Sequence, residues 1–136
     1  MKIKLDDMAI MPTRAHEADA GLDLYAREDA VIHPNDSAIF DTGVHIELPP
    51  DTVGFIKSKS GLYVMCGLTS EGVIDEGYTG SIVVKLKNNT ELFYKVKRGD
   101  KISQLVILPI IKPTLELVDS LDETERGNNG FGSSGR

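Results

Sequence analysis

The sequence predicts an all-β fold, a distorted jelly roll or β-barrel with one short helix and a mobile C-terminal arm. Three observations carry that expectation. Short segments rich in β-branched and aromatic residues recur along the chain, many alternating apolar with polar positions. Clusters of Pro, Asn, Asp and Gly separate them. One segment alone, after Ser60, offers a helical reading.

The first strand falls at residues 2–5, KIKL, and the next at 22–26, LDLYA, and 30–33, AVIH. His33-Pro34-Asn35-Asp36 then breaks the chain before a strand at 43–48, GVHIEL. Pro49-Pro50-Asp51 is the turn into 53–58, VGFIKS. Ser60, followed by Gly61 and the apolar run Leu62 to Met65, has the form of a helix N-cap. Strands follow at 81–87, 91–96 and 102–108, divided by Lys87-Asn88-Asn89 and Arg98-Gly99-Asp100. So many short strands at this spacing imply a sandwich, jelly roll or barrel. After 114–118, TLELV, the chain turns acidic and then Gly-rich without periodicity, which divides it into a β domain, 1–118, and an arm, 119–136.

With 136 residues, one domain can bury roughly two thirds of its unfolded surface. No apolar run approaches the ~20 residues that span a bilayer, and MKIKLDDMAI mixes charge into its start as a signal peptide does not. The expectation is a cytoplasmic protein without a membrane partner. Cys66 is the only cysteine, which excludes an internal disulfide and a cysteine metal cage and makes it a buried, inert thiol. A net charge of -6 argues against a nucleic-acid partner, since such proteins release counterions from a basic surface. A small anion is compatible, given local donors and a divalent cation.

Five stretches can carry chemistry, each with a plain structural reading beside it. In AGLDLYA, 20–26, strand alternation turns Asp23 away from the leucine face, toward solvent or a metal. In IKSKSGLY, 56–63, a helix start at Ser60 with Lys57 and Lys59 nearby suits a phosphate or is simple capping. In EGVIDEGYTGSIVVKL, 71–86, a hairpin sets Asp75 and Tyr78 beside its bend: a general base with an aromatic for a ring or sugar, or an Asx turn with a filled gap. In RGDKISQLVI, 98–107, Gln104 is an amide among Ile102, Leu105 and Ile107 that needs partners if buried. In RGNNGFGSSG, 126–135, glycines free backbone N–H groups, Ser133, Ser134 and Arg126 donate, and Phe131 offers a stacking face; the other reading is a disordered tail.

In order and spacing these stretches resemble the five motifs of the trimeric dUTPase family, matched by AGLDLYA, SKSGL (58–62), GVIDEGYTG (72–80), GDKISQ (99–104) and RGNNGFGSSG. The resemblance implies a homotrimer with active sites shared between subunits, hydrolysing dUTP to dUMP and pyrophosphate (EC 3.6.1.23). It implies that Asp75 activates the water that attacks the α-phosphorus, and that Asp23 supports a hydrated Mg²⁺. Gly72, Val73, Ile74 and Gly80 would read uracil through backbone, with Tyr78 against the deoxyribose. Lys59, Ser60, Gly61 and Gln104 would meet the phosphates, and Lys85 is counted among the substrate-binding residues. Arg126, Ser133 and Ser134 would hold the γ-phosphate, with Gly132 and Phe131 closing over the base.

The chain departs from the family pattern in places. Ser58-Lys59 stands for the usual Pro-Arg, and Lys101 for a frequent Arg, which exchanges a bidentate fork for a point charge. Gly77 stands for a frequent acid and Asn129 for a frequent Gly. The dCTP deaminases share the fold, but aligning Gly80 to Asn88 puts Lys85 where they resemble one another in carrying a catalytic Glu. A lysine cannot relay the protons that deamination needs. A non-enzymatic alternative is a trimeric protein that engages a regulatory partner in response to dUTP. His16, His33 and His45 have no metal-ligand spacing and read as surface or hydrogen-bonded residues, and Met8, Met11 and Met65 as packing residues.

Overall fold

A computed structural model describes residues 1–129. Its elements, in chain order, are β1 (Lys2–Leu5), β2 (Gly21–Tyr25), β3 (Ala30–Ile32), β4 (Ser37–Asp41), β5 (Val44–Glu47), β6 (Thr52–Lys57), α1 (Ser60–Cys66), β7 (Leu68–Thr69), β8 (Glu71–Ile74), β9 (Val83–Asn88), β10 (Tyr94–Val96) and β11 (Lys101–Pro109). All pairings are antiparallel: a four-stranded sheet in the order β2-β11-β6-β8, a three-stranded sheet β4-β9-β7, and the pairs β1-β5 and β10-β3. This is the all-β architecture that the strand spacing predicts.

Alternation explains which faces meet. In β9, Val84, Leu86 and Asn88 are buried while Val83 and Lys85 are exposed. Their inner faces join Leu24, Ile56 and Leu105 of the larger sheet and Phe40 of β4 in one core cluster. Asn88 is buried yet satisfied: its amide donates to the carbonyls of Ile32, His33 and Leu92, and its Oδ1 accepts from Thr90. That network ties β3 and the approach to β10 onto β9.

Several details differ from the sequence expectation. β4, SAIFD, was not expected, because Ser and Asp at its ends obscure its pattern; it pairs with β9 along five residues, Ser37↔Lys87 to Asp41↔Val83. β9 starts at Val83, not at 81, because Ile82 exchanges backbone bonds with Val44 and Thr42 instead. Only Tyr94–Val96 of 91–96 is strand; the Leu92 N–H donates to the Thr90 hydroxyl in a turn. The helix cap is Lys59, in extended backbone with no side-chain capping bond, so Ser60 is the first helical residue and not its N-cap. Helix α1 ends at Gly67, whose φ of 65° is the left-handed conformation of a helix stop.

Leu62 and Cys66, one turn apart on α1, pack on the core, and Cys66 is half-buried, not buried. The methionines do not pack as expected: Met8, Met11 and Met65 are all exposed, Met65 at 84 %. Strand β11 ends at Pro109, and residues 110–129 contain no helix or strand, with Leu115, Leu117 and Leu121 exposed.

Candidate active site

The predicted residues fall into two groups. The first gathers around β2, β11 and the β6–α1 junction. Asp23 lies opposite Gln104 across the β2–β11 ladder, and Gln104 lies opposite Lys57 across β11–β6. This register brings three sequence-distant stretches within one side chain of each other.

Asp23 does not face solvent, as alternation alone allowed; it is only 5 % exposed. Its Oδ1 pairs with the Lys59 ammonium, and its Oδ2 with Lys101 at 2.7 Å. A register shift in β11 between Lys101 and Ser103, of the kind that re-aims side chains, precedes that contact. Burial pushes the Asp23 carboxyl up, but hydrogen bonds and charge from Lys101 and Lys59 outweigh it and hold it below the usual carboxylate range. Lys101 is raised in turn, chiefly by its hydrogen bond to Asp23.

The backbone leading to Lys59 is held by side chains that the sequence did not single out. Ser58 Oγ donates to the Ser70 carbonyl (3.1 Å) and accepts from the Ser70 N–H (2.8 Å). Buried Ser70 and Ser103 share a hydroxyl bond of 2.7 Å, and Ser103 donates to the Lys57 carbonyl. Gln104 finds its partner in the Ser58 carbonyl, 3.0 Å away, and lies over Gly21, where any Cβ would collide with it. Three hydroxyls and an amide thus replace the rigidity that a proline at position 58 would lend. Single Ser residues on strands carry no sequence signal for such a network. Ser60 makes no side-chain hydrogen bond among the described residues, and a Cβ on Gly61 would meet nothing within 4 Å.

The second group is the loop between β8 and β9, a hairpin in connection only: the two strands do not pair as the sequence predicts, because β8 pairs with β6 and β9 with β4 and β7 in the other sheet. The Tyr78 N–H donates to the Asp75 carbonyl at 3.1 Å to close the turn, and Gly77 takes a φ of 88° that L side chains rarely adopt. Tyr78, 46 % exposed, donates its hydroxyl to the Ser81 carbonyl at 3.0 Å, and its ring lies where a Cβ on Gly80 would be. Asp75, Tyr78, Val73, Ile74, Ser81 and Val83 line a recess of ≈ 220 Å³. The Ile74 side chain belongs to the core, so only its backbone is open to a ligand, whereas Val73 is exposed. Gly72 packs on Ile56 in the β6–β8 pair.

One chain does not bring the two groups together. Lys57, two residues before Lys59, pairs with Glu71 at one end of β8, while Ile74, just before Asp75, pairs with Gly54 at the other. Four residues of strand separate Glu71 from Asp75, roughly 13 Å at the usual rise. Lys85 is exposed on β9 opposite Ile39 and contacts neither group. Arg126 donates to the Asn129 carbonyl at 3.1 Å, within the C-terminal segment. Phe131, Gly132, Ser133 and Ser134 lie outside the described residues. Among the described residues no group of three or more His, Cys, Asp or Glu could hold a metal ion, and no helix is long and apolar enough to cross a membrane.

Known proteins resemble this chain along nearly its whole length. The dUTPase family model matches residues 7–135. The chain is 44% identical over 135 residues to a deoxyuridine 5'-triphosphate nucleotidohydrolase of Clostridium acetobutylicum, covering 97% of this chain and 93% of that protein. It is 47% identical over 135 residues to the protein of that name from Gloeothece citriformis, with the same coverage of each chain. Among solved structures, the dUTPase of Staphylococcus bacteriophage 80alpha with dUPNHPP superposes with a TM-score of 0.93 at 32% identity, covering 99% of this chain and 98% of that one. A mutant dUTPase of phage phi11 of S. aureus, described with a structural Mg(II) ion, gives 0.83 at 30% identity over 90% of this chain and 98% of its own.

Proposed function

The chain belongs to the dUTPase family, and on that footing we propose that it hydrolyses dUTP to dUMP and pyrophosphate by attack of water at the α-phosphorus. The observation that carries this reading is the family match, which runs through all five chemistry-bearing stretches. Such a reaction keeps uracil out of DNA and supplies dUMP for thymidylate synthesis. A cytoplasmic setting suits the free thiol of Cys66.

Asp75 lies at the rim of the recess that also holds Tyr78, where it can take the proton of an attacking water. Tyr78 stands against the deoxyribose and leaves no room for a 2′-hydroxyl. Uracil is read by the backbone around Gly72, Val73, Ile74 and Gly80, and the tightness of the hairpin excludes a thymine methyl. The phosphates meet the other group. Asp23 satisfies both Lys59 and Lys101; with dUTP, these ammonium groups exchange a carboxylate for phosphate oxygens, with Ser60 and the open space at Gly61 beside them.

Mg²⁺ fits as a companion of the triphosphate and not as a resident of a protein cage, because one carboxylate is all the cluster supplies. Held through water by an Asp23 that the lysines have released, it would offset the charge of the phosphoryl oxygens. Arg126, Ser133 and Ser134 hold the γ-phosphate and Phe131, with Gly132, covers the base, so that 119–136 acts as an arm that closes over ligand.

The separation of Asp75 from the lysine cluster supports a homotrimer, in which one subunit's hairpin meets another's phosphate group. Incubation with dUTP, dCTP, dTTP and UTP, with and without Mg²⁺, tests the reading. Pyrophosphate and dUMP from dUTP alone are expected; ammonia from dCTP, or orthophosphate from dUTP, would overturn it.

A further inference from the structure

His45 sits on β5, where the β1–β5 pair meets the hairpin of Asp75 and Tyr78. Its Nδ1 lies 2.8 Å from the carbonyl oxygen of Thr79 and its Nε2 3.0 Å from Asp6 Oδ2. Both partners are acceptors, and only a doubly protonated ring has a proton for each. Among the described residues no other hydrogen bond reaches Thr79 or Gly80. The rest of the hairpin is anchored separately: Ser81 donates to Asp41, and Lys112 grips Glu76, which also accepts from the Asp51 N–H at 3.0 Å.

We infer that His45 is a positioning residue for the reaction: its imidazolium ties the Thr79 carbonyl to Asp6 and fixes the hairpin between Tyr78 and Gly80. This rests on the dUTPase reading, in which that segment receives uracil and deoxyribose. The tie has a direction in pH. Asp6 is the first cause, and the Thr79 carbonyl the second, of a His45 that titrates above its ordinary range. Lys4, facing His45 across the β1–β5 ladder and 3.4 Å from Asp6, opposes this weakly.

Other charges nearby are spoken for. Lys2 and Glu47 neutralise each other at 3.0 Å, Asp41 behind Asp6 is paired with Arg27 at 3.0 Å, and on the hairpin Glu76 is paired with Lys112 beside Asp75 and Tyr78. A raised value means that the tie is fully present below the ordinary histidine range and is lost as pH climbs through the raised value. The neutral ring keeps one N–H, which the ionised Asp6 claims as the stronger acceptor, and the Thr79 carbonyl is released.

Steady-state kinetics with dUTP from about pH 6 to 9, across the range where histidine charge changes, test the inference. KM should rise about three- to tenfold with pH, the worth of one net hydrogen bond. In His45→Asn, whose neutral amide nitrogen takes the place of Nδ1 and can donate to Thr79 at every pH, that rise should vanish; in Asp6→Asn it should move to lower pH. Ionisation of the substrate is common to all three proteins and cancels in the comparison. Superimposable profiles for the natural protein and His45→Asn, or an unmoved inflection in Asp6→Asn, would overturn the inference. The ¹⁵N resonances of the His45 ring give a reading that needs no variant and no turnover: both nitrogens should stay protonated above the pH at which an ordinary histidine loses its charge, and a ring that titrates at or below the ordinary value refutes the tie. Absence of dUTP turnover in the natural protein would sink the dUTPase reading, and the ring resonances would still decide the fate of His45.

Discussion

The two halves of the site are built on different principles. Around Asp23, charge is dense and half-hidden: a buried carboxylate spans two lysines, and buried serines fix the backbone behind them. The hairpin is an exposed turn shaped by backbone, held at three places by Asp41, His45 and Lys112 from outside itself. On the proposed function the first region grips a polyanion, which needs charge, and the second tells uracil from thymine, which needs shape. Charges that neutralise one another hold the former together, and side chains from outside the turn brace the latter.

The comparison breaks most visibly at Asp75. Asp75→Asn should lower turnover at least about 10²–10⁴-fold while dUTP binding, followed by calorimetry, persists, since the phosphate group is untouched. Retained turnover would remove Asp75 from the role of base. A second effect of similar size tests whether the halves meet across subunits. Asp75→Asn and Lys59→Ala proteins, each impaired alone, should regain turnover when unfolded and refolded together, because mixed trimers contain a site with both residues intact. No recovery, in a mixture shown to be trimeric by solution mass, would mean that one chain supplies both halves.

Stability separates the regions next. Asp23→Asn leaves Lys59 and Lys101 facing each other without a carboxylate, and should cost about 2 kcal/mol by denaturant titration, less than a fully buried pair because the lysines keep part of their water. The sign with pH follows from the depressed Asp23 carboxyl: its contribution is present above the ordinary carboxylate range and is lost as pH falls through the lowered value. Unchanged acid stability in Asp23→Asn would show that the triad contributes nothing net. The smallest effect is expected of Lys59→Arg, which restores the family's fork: equal turnover, or a gain of no more than a few-fold. A large loss would show that this pocket is shaped around lysine.

Much of this molecule is legible in its sequence because the signals are local. Alternation in 83–88 specifies a strand with one buried face, and Gly77 and Gly80 mark a tight turn with a tyrosine laid across it. The five stretches lie in family order and identify the family. Local signals fail where pairing is not local. Strand β4 is a strand because β9 lies beside it, and SAIFD alone does not say so. Ser58, Ser70 and Ser103 are unremarkable apart, and become the floor of the phosphate group only when β6, β8 and β11 align.

By itself, then, the sequence determined the all-β class, the turn at Gly77, the short helix and the residues to watch, since propensity, alternation and motif order are properties of neighbours along a chain. Tertiary structure alone decided that Asp23 turns from solvent onto two lysines, that Ser60 is not a cap, that Met65 is exposed, and that His45 reaches both Asp6 and Thr79. The reason is the same throughout: a polar side chain takes whatever partner the fold brings within hydrogen-bond distance. For His45 those partners come from 39 residues before it and 34 residues after it.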